Sequence, residues 1–534
     1  ILKSYEDLSL LMEENRDIFS FKSQLENELS QLTRNRKYLA QLLSTIESAV
    51  YSRIRTRLNM KAISFTGLPP EIQAREKSLR KSMANSLDHL GTEGPATFIA
   101  RNREWEAFQD SLAALYPEYY EMRYGSLEER IPEPSQMIPP ETSVLRYFYI
   151  EKDLYAYLSD GREERLISLD GKDLLDKINR LTNLREEPEV YFGLLADLYG
   201  QLWRPLEAFI NTRRIVIIPD RELYNLSFEL LTGDPISGYS DLKTKSLMAR
   251  HTISYNYSFM LLDPLRKTLE FQGDFIAFAP EFDTSMKKQY VMALKDSLEK
   301  DQAYLSLLPQ PFSSDLVRKL GRRFRGNTFL NTEASKQLFT GNAAEHKIIH
   351  VGTHAESNNV SPELSRLVFA KNVRDSGNLN DNYLYTYEIY NQNLNANLAV
   401  LTACETGKPG YQPGEGMISL AHAFNYAGSE SILTSLWQVD EQSSTQILTY
   451  FYEFLEAGKA KDEALRLAKM AYLENAEGRM RHPQYWAGLI LMGDTEPIPL
   501  TADSGWQSWL IGLLVAAAVL FTYYTLRRKT PESR

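Results

Sequence analysis

The chain is predicted to fold as an α/β protein: a largely parallel sheet flanked by helices, preceded by an α-helical region and followed by one transmembrane helix. Three observations predict this. From about residue 144 onward, short apolar runs rich in β-branched and aromatic residues alternate with amphipathic stretches. Before about residue 130, Leu, Ile and Phe recur instead at three-to-four spacing among Glu, Lys and Arg. Near the end, "WLIGLLVAAAVLFTYYTL" (509–526) runs for 18 residues without a charge.

The helical region is taken as 1–133. Within it "LENELSQLTRNRKYLAQLLSTI" is strongly amphipathic, and Gly and Pro are scarce until "GLPPE", where Pro69 and Pro70 open a further helix, "EIQAREKSLRKSMANSL". No 34-residue repeat is evident in it. A proline-rich linker, "RIPEPSQMIPPETS", closes this half.

The second unit is taken as 141–500, with a later half at about 270–500. Its expected strands are "VLRYFYI" (144–150), "DLYAYLS" (153–159), "RRIVIIPD" (213–220), "DFIAFAP" (274–280), "HKIIHVGTH" (346–354), "LAVLTAC" (398–404) and "SILTSLW" (431–437). Helices such as "SSTQILTYFYEFLEAG" and "AKDEALRLAKMAYLENA" lie among them. Apolar strands separated by helices imply a mostly parallel sheet covered on both faces.

The third segment, 507–529, reads as a single-pass membrane anchor. As a helix at ~1.5 Å per residue it covers most of a ~30 Å hydrocarbon core. Trp506 and Trp509 flank one end, Tyr523 and Tyr524 the other, and Arg527, Arg528 and Lys529 follow. The basic tail is expected in the cytoplasm and the large domain outside, with the opposite insertion as the alternative. The chain begins with Ile rather than Met, so it is expected to be a piece of a longer product.

Composition narrows the function classes. At 534 residues the prior is roughly three to four domains of ~150 residues, ample for a sizeable core. A net charge of −10 argues against a general nucleic-acid binder, whose field has to be basic. The single cysteine, Cys404, excludes an internal disulfide and any cysteine-based zinc site, so it is either a small apolar filler or a reactive group.

The position of that thiol matters. In open parallel sheets, sites form outside the carboxyl ends of the strands. Cys404 ends one expected strand and His354 another, so two reactive side chains leave the same edge. A free thiol is only a few per cent ionised at pH 7, and a nearby imidazole is needed to take its proton. Of seven histidines, His354 is best placed. His350, four residues earlier on the same strand, lies ~13 Å away and reads as a hydrogen-bonded strand residue. The same spacing disfavours a metal site, "HKIIH" lacks the glutamate of the zinc-protease motif, and no cofactor is called for.

Taken together, "IIHVGTHA", "LAVLTACETG", "GEGMISLAHAFNYAGSESILTSLWQVDEQSSTQILTYFYEFLEAG" and "HPQYWAGLILMGD" resemble successive blocks of the CHAT domain, a caspase-like peptidase often found behind tetratricopeptide repeats. The resemblance runs from about residue 340 to 494, with weaker similarity, including "RRIVIIPDRELYNLSFELL", back to about 141; "GLPPEIQAREKSLR" resembles the connector that follows such repeats. It implies a caspase-like sheet, His354 as general base and Cys404 as nucleophile, with backbone N–H groups of Ala355 and Cys404 as the oxyanion hole. Ala355 departs from the glycine common there. The implied activity is that of a cysteine endopeptidase working through a thioester, restrained until a regulatory protein binds the N-terminal helices. The alternatives are a catalytically silent interaction module at a membrane and an esterase or acyltransferase using the same thiol. Glu356 and Glu405 flank the dyad as candidates for an orienting acid, with solvated loop acids as the plainer reading.

For substrate selection the resemblance points to Asp440 as an acid that reads a basic residue before the cut. The competing reading is helix capping: Asp440 and Glu441 precede "QSSTQILTYF", and Ser443 with Gln446 forms a capping-box pattern. Trp437 either walls the cleft or packs under the sheet. The loop "GKPGYQPGEG" lacks phosphate-loop spacing, and "VRKLGRRFRG" reads as an amphipathic helix with a solvated basic face. The partners expected are therefore a protein substrate, a regulatory protein and, through 509–526, a membrane, with no nucleic acid.

Overall fold

The computed structural model describes residues 16–48, 95–117 and 137–500, apart from short stretches at 184–185, 263–270, 295–299, 359–363, 374–378, 380, 403–409 and 413–415, and a few further residues between 69 and 79. The strands in chain order are β1 (Thr142–Ile150), β2 (Asp153–Ser159), β3 (Glu164–Leu169), β4 (Arg214–Ile218), β5 (Thr252–Tyr255), β6 (Gly273–Ala279), β7 (Gly326–Leu330) and β8 (His346–Val351). Then come β9 (His354–Glu356), β10 (Arg366–Val368), β11 (Tyr383–Tyr385), β12 (Leu398–Leu401), β13 (Gly410–Gln412), β14 (Gly416–Ile418), β15 (Ser431–Ser435) and β16 (Leu489–Gly493).

Eleven of these form one sheet in the order β3-β2-β1-β4-β5-β16-β15-β12-β8-β6-β7. Seven neighbouring pairs are parallel and three, β1–β2, β2–β3 and β15–β16, antiparallel. The β15–β16 pair is a seam between two parallel blocks, and in the block β7-β6-β8-β12-β15 the strands β8 and β12 end three positions before His354 and Cys404 in the sequence. Strands β9–β11 make a separate three-stranded sheet in the order β11-β10-β9.

The central strands read as continuous apolar runs because both of their faces are covered. Along β6, Phe275, Ala277 and Ala279 enter one core while Ile276 and Phe278 enter the other; along β12, Leu398 and Val400 face the first core and Ala399 and Leu401 the second. The first core is closed by helices Pro188–Leu202, Pro311–Arg323, Glu441–Glu456 and Lys461–Asn475. The second is closed by the shorter Lys336–Asn342 and Leu420–Tyr426. The helix Pro311–Arg323 buries Leu316, Val317 and Leu320 and turns Arg322 and Arg323 outward, where Arg323 meets Glu456. This is the solvated basic face expected of "VRKLGRRFRG".

The outermost strands, β3 and β7, fall where no strand is expected from sequence. With a neighbour on one side alone they remain partly exposed, and "ERLISL" and "GNTFL" carry no unbroken apolar run. The expected strand "HKIIHVGTH" splits in two: β8 stops at Val351, and His354 opens β9 in the second sheet.

Of the helical region, α1 (Arg16–Thr33) and α2 (Arg36–Ser48) form an antiparallel pair, tied by Thr45 Oγ1 donating to Glu26 Oε2 at 2.8 Å. Leu39, Leu42 and Leu43 of α2 pack on Val144, Phe148 and Tyr157 of the sheet. Through that contact runs a buried charge. Glu47 accepts from Arg146 Nε at 2.7 Å, from Ser258 Oγ at 2.5 Å and from the Phe259 amide at 2.8 Å, and Arg146 Nη1 donates to the carbonyls of Tyr147 and Pro219. Burial opposes the charge of the Arg146 guanidinium, but Glu47, with Asp220 and Tyr224, outweighs it and raises the pKa above the ordinary arginine value.

The expected membrane anchor is not sustained. No helix among the described residues is long and apolar enough to cross a membrane, and 509–526, with its flanks in 501–534, lies outside them. An uncharged run measures what hydrocarbon would tolerate, which is a weaker fact than a spanning helix. The assignment to a single-pass membrane protein is therefore withdrawn.

Removing one partner of a fully buried ion pair strands the other charge, which typically costs ~3 to 5 kcal/mol. Glu47→Ala is thus expected to lower the urea midpoint of the intact chain by that amount of unfolding free energy. A loss below ~1 kcal/mol would show that the pair does not brace the helices against the sheet.

Candidate active site

Strand β8, "HKIIHV", carries the β-branched Ile348, Ile349 and Val351 and ends where Gly352 begins the turn toward β9. Gly352 donates its amide to Phe278 O at 2.9 Å. A Cβ added there would run into Ser313 Oγ, so a larger residue would require the Ser313 hydroxyl of the helix Pro311–Arg323 to turn aside. Thr353 follows, its hydroxyl bonded to Val368 O, and His354 pairs with Val368 in the register of β9 and β10.

The half-buried imidazole of His354 is held from two sides. Its Nε2 lies 2.7 Å from Leu308 O, and its ring centroid sits 5.2 Å from that of Phe282. A carbonyl can only accept, so Nε2 carries the proton and Nδ1 keeps the lone pair. Burial lowers the His354 pKa below the ordinary histidine value; the Leu308 bond opposes this, Lys287 adds to the lowering and Glu356 opposes it. At neutral pH the ring is therefore uncharged and Nδ1 is a proton acceptor.

Among the described residues, the group that holds the imidazole is a backbone carbonyl and not an acid. Glu356, one of two acids flanking the expected dyad, instead pairs with Arg366, at 2.8 Å from Nε and 2.6 Å from Nη2. Glu405 lies outside the described residues. Sequence reasoning had no means of finding Leu308, because a carbonyl has no residue signature. The one hint is Pro309, which biases the preceding residue toward extended backbone.

Cys404 also lies outside the described residues. The strand it follows is described, and its register carries information. Strands β8 and β12 are adjacent and parallel, pairing Leu398 with Ile348 through to Leu401 with Val351. Each pair is offset by fifty positions, the interval that separates His354 from Cys404. Thr402 N continues the ladder to Val351 O at 3.2 Å. The two residues thus follow neighbouring strand ends by the same number of positions.

The remaining expected site residues have definite surroundings. Ala355 pairs with Leu367 in β9 and is partly buried against the second core. Asp440 is the exposed N-cap of the helix Glu441–Glu456, where its Oδ1 accepts from both the amide and the hydroxyl of Ser443 at 2.8 Å. This is the capping role, with the cap three residues before the Ser443 that the sequence pattern suggested. Trp437 is buried, donates Nε1 to Gln484 O at 3.2 Å and lies so close to Gly488 that an added Cβ would come within 2.8 Å of its indole. Neither residue is brought to the His354 imidazole. Glu441 serves a second helix, accepting from Ser313 N at 2.9 Å, and burial raises its pKa.

Residues 193–494, more than half of the chain, match the CHAT domain family. Tetratricopeptide repeat protein 28 of Mus musculus is 24% identical over 351 residues, covering 60% of this chain and 14% of that protein. Its Homo sapiens counterpart is 24% identical over 325 residues, covering 57% and 13%. The chain spans about a seventh of the length of these relatives. Among solved structures, the Saccharomyces cerevisiae separase–securin complex aligns with a TM-score of 0.41 at 9% identity, over 92% of this chain and 44% of that one. The Arg-specific cysteine proteinase gingipain R aligns at 0.32 and 10% identity, over 62% and 75%.

His350, as expected, is a strand residue and not part of the site. It is fully buried, with Nδ1 2.8 Å from the Tyr452 hydroxyl, and burial lowers its pKa to about 3. Below pH 6.5, the ordinary histidine value, the unfolded chain binds a proton that the folded chain refuses. Stability is then expected to fall as pH drops from 6.5 toward 3, at up to ~1.4 kcal/mol per pH unit from this residue. His350→Gln should flatten that part of the profile relative to the parent chain; parallel profiles would show that His350 is protonated while folded.

Proposed function

The chain belongs to the CHAT domain family, and from that premise we propose that it is a caspase-like cysteine endopeptidase using Cys404 and His354. The observation that carries the reading is the imidazole of His354, which is fixed by Leu308 O with Nδ1 as its basic nitrogen. It follows β8 by as many residues as Cys404 follows the paired β12. The same edge is where open parallel sheets form their sites.

In the reaction, Nδ1 of His354 accepts the proton of the Cys404 thiol, and the sulfur attacks the carbonyl carbon of the scissile peptide bond. Negative charge moves onto the carbonyl oxygen, which the amides of Ala355 and Cys404 stabilise; one such donor is typically worth ~3 to 4 kcal/mol. As the C–N bond breaks, the imidazolium returns its proton to the leaving amine and a thioester remains. Water, deprotonated by the same Nδ1, hydrolyses it and restores the thiol. Throughout, the Leu308 carbonyl keeps the working tautomer and steadies the imidazolium, a role filled by a carboxylate in the serine-protease triad.

A regulatory protein acting on the N-terminal helices completes the proposal. Support comes from the Leu39–Leu43 face and Glu47, which join α2 directly to the sheet, and from relatives named for tetratricopeptide repeats.

The test is labelling of the intact chain by peptidyl electrophiles, followed by cleavage of a peptide library. The parent is expected to label at Cys404, Cys404→Ala to lose both labelling and cleavage, and His354→Ala to lose ~100- to 10,000-fold in kcat/KM. If the parent labels no faster than the unfolded chain and cleaves nothing that Cys404→Ala spares, the domain is a silent interaction module. Because the His354 pKa is lowered, its proton-accepting form persists to lower pH than a free imidazole. The acid limb of kcat/KM is accordingly expected below pH 6.5; a midpoint above that value would assign the limb to another group.

A further inference from the structure

The carbonyl that orients His354 belongs to a long excursion of the chain between β6 and the helix Pro311–Arg323. Its base is closed by Gln310 N donating to Glu281 O at 2.8 Å. Within it Asp283 caps the helix Thr284–Ala293 and Asp301 caps the helix Gln302–Ser306. Lys287 Nζ donates to Leu307 O at 2.5 Å, one residue before Leu308. The seat of Leu308 therefore depends on how this excursion is attached to the rest of the domain.

The attachment is centred on Lys371. This residue lies three positions past the end of β10, the strand that pairs with His354, and its side chain is 1% exposed. Its Nζ meets Asp301 Oδ2 at 2.7 Å, and the same oxygen accepts from Tyr383 OH at 2.9 Å. The ammonium also faces three rings, with centroids of Tyr290 and Tyr304 at 5.1 Å and Tyr383 at 5.5 Å. Tyr290 and Tyr304 come from the excursion and Tyr383 from β11. Tyr304 packs on Phe282 at 5.7 Å between centroids, and Phe282 in turn on His354.

A buried ion pair is poor at adding stability, since an apolar pair of similar volume serves as well. What it does supply is direction. A charged pair tolerates few geometries, and this one joins the chain segment carrying Leu308 to the strand paired with His354.

We infer that Asp301 and Lys371 are positioning residues for the catalytic base. Their ion pair latches the excursion down so that the Leu308 carbonyl meets Nε2 of His354 and Nδ1 remains the proton acceptor. The inference rests on the reading of His354 as that base.

The test uses the intact chain carrying Cys404→Ala and 15N-labelled histidine, so that the imidazole is observed without turnover. Lys371→Met and Asp301→Asn are each expected to speed exchange of the His354 Nε2 proton by about ten-fold or more and to move the neutral ring toward the Nδ1–H tautomer. The double variant should go no further than the larger single effect, because both changes open one latch. With the thiol restored, kcat is expected to fall about ten-fold or more, with KM held within about two-fold. Tyr383→Phe, which removes one hydroxyl from Asp301, should shift exchange the same way by less, and it decides the matter if the ion-pair variants do not fold. Arg214→Gln breaks a pair with Asp462 outside the β9–β11 region and should leave His354 exchange unchanged. Unchanged exchange in folded Lys371→Met and Tyr383→Phe would overturn the latch, as would equal acceleration by Arg214→Gln. Accelerated exchange in a chain that labels and cleaves nothing would support the latch and remove the peptidase reading.

Discussion

Parallel pairing of β8 with β12, in the register that sets Val351 beside Leu401, is the constraint on which the rest of the molecule depends. Parallel strands cannot be joined by a tight turn, so each must be followed by a connection that crosses a face of the sheet. Those connections supply the helices that cover both faces, and they leave the carboxyl ends of several strands side by side. Just past β8 the Gly352 amide is held by Phe278 O and Ser313 of the helix Pro311–Arg323 lies against it, with Leu308, just before that helix, at the imidazole. Had the register slipped by one position, every inward side chain of β12 would face the opposite core.

Burial sets the electrostatics of this domain. It lowers the pKa of His350 and His354, so both rings are neutral at pH 7, yet the two end in different chemistry. His350 is sealed beneath the sheet against Tyr452, whereas His354 keeps Nδ1 outside its one strong hydrogen bond. Buried lysines follow another rule. Lys371, Lys461 and Lys469 each meet a carboxylate, from Asp301, Asp494 and Glu229, and each pair joins segments distant in sequence. A charge taken out of water needs a partner, and where the partner stands limits how the two segments meet.

Much of the fold is legible in the residues themselves. Seven strands fall where short apolar or aromatic runs place them, because a strand with two covered faces must be apolar at successive positions, although the central β5 and β16 are not among the expected strands. The edge strands β3 and β7 are not legible, since a strand exposed on one side has no such requirement. The capping reading of Asp440 is legible because its partner, Ser443, is three residues away. The uncharged run at 509–526 illustrates the opposite hazard: local hydropathy speaks strongly about a short window, and the membrane assignment drawn from it does not stand, with no helix among the described residues long and apolar enough to cross a membrane.

The sequence by itself determined the class of the fold, the edge of the sheet to inspect and the two residue types, imidazole and thiol, that make nucleophilic chemistry conceivable there. These follow from periodicity and side-chain identity, which are properties of short windows. Only the tertiary structure decided that a carbonyl orients His354, that Glu356 belongs to Arg366 and that a buried lysine pairs with Asp301 beside the site. Those outcomes depend on segments tens of residues apart meeting at hydrogen-bond distance. A backbone carbonyl looks the same in every residue, so no reading of letters could have picked out Leu308.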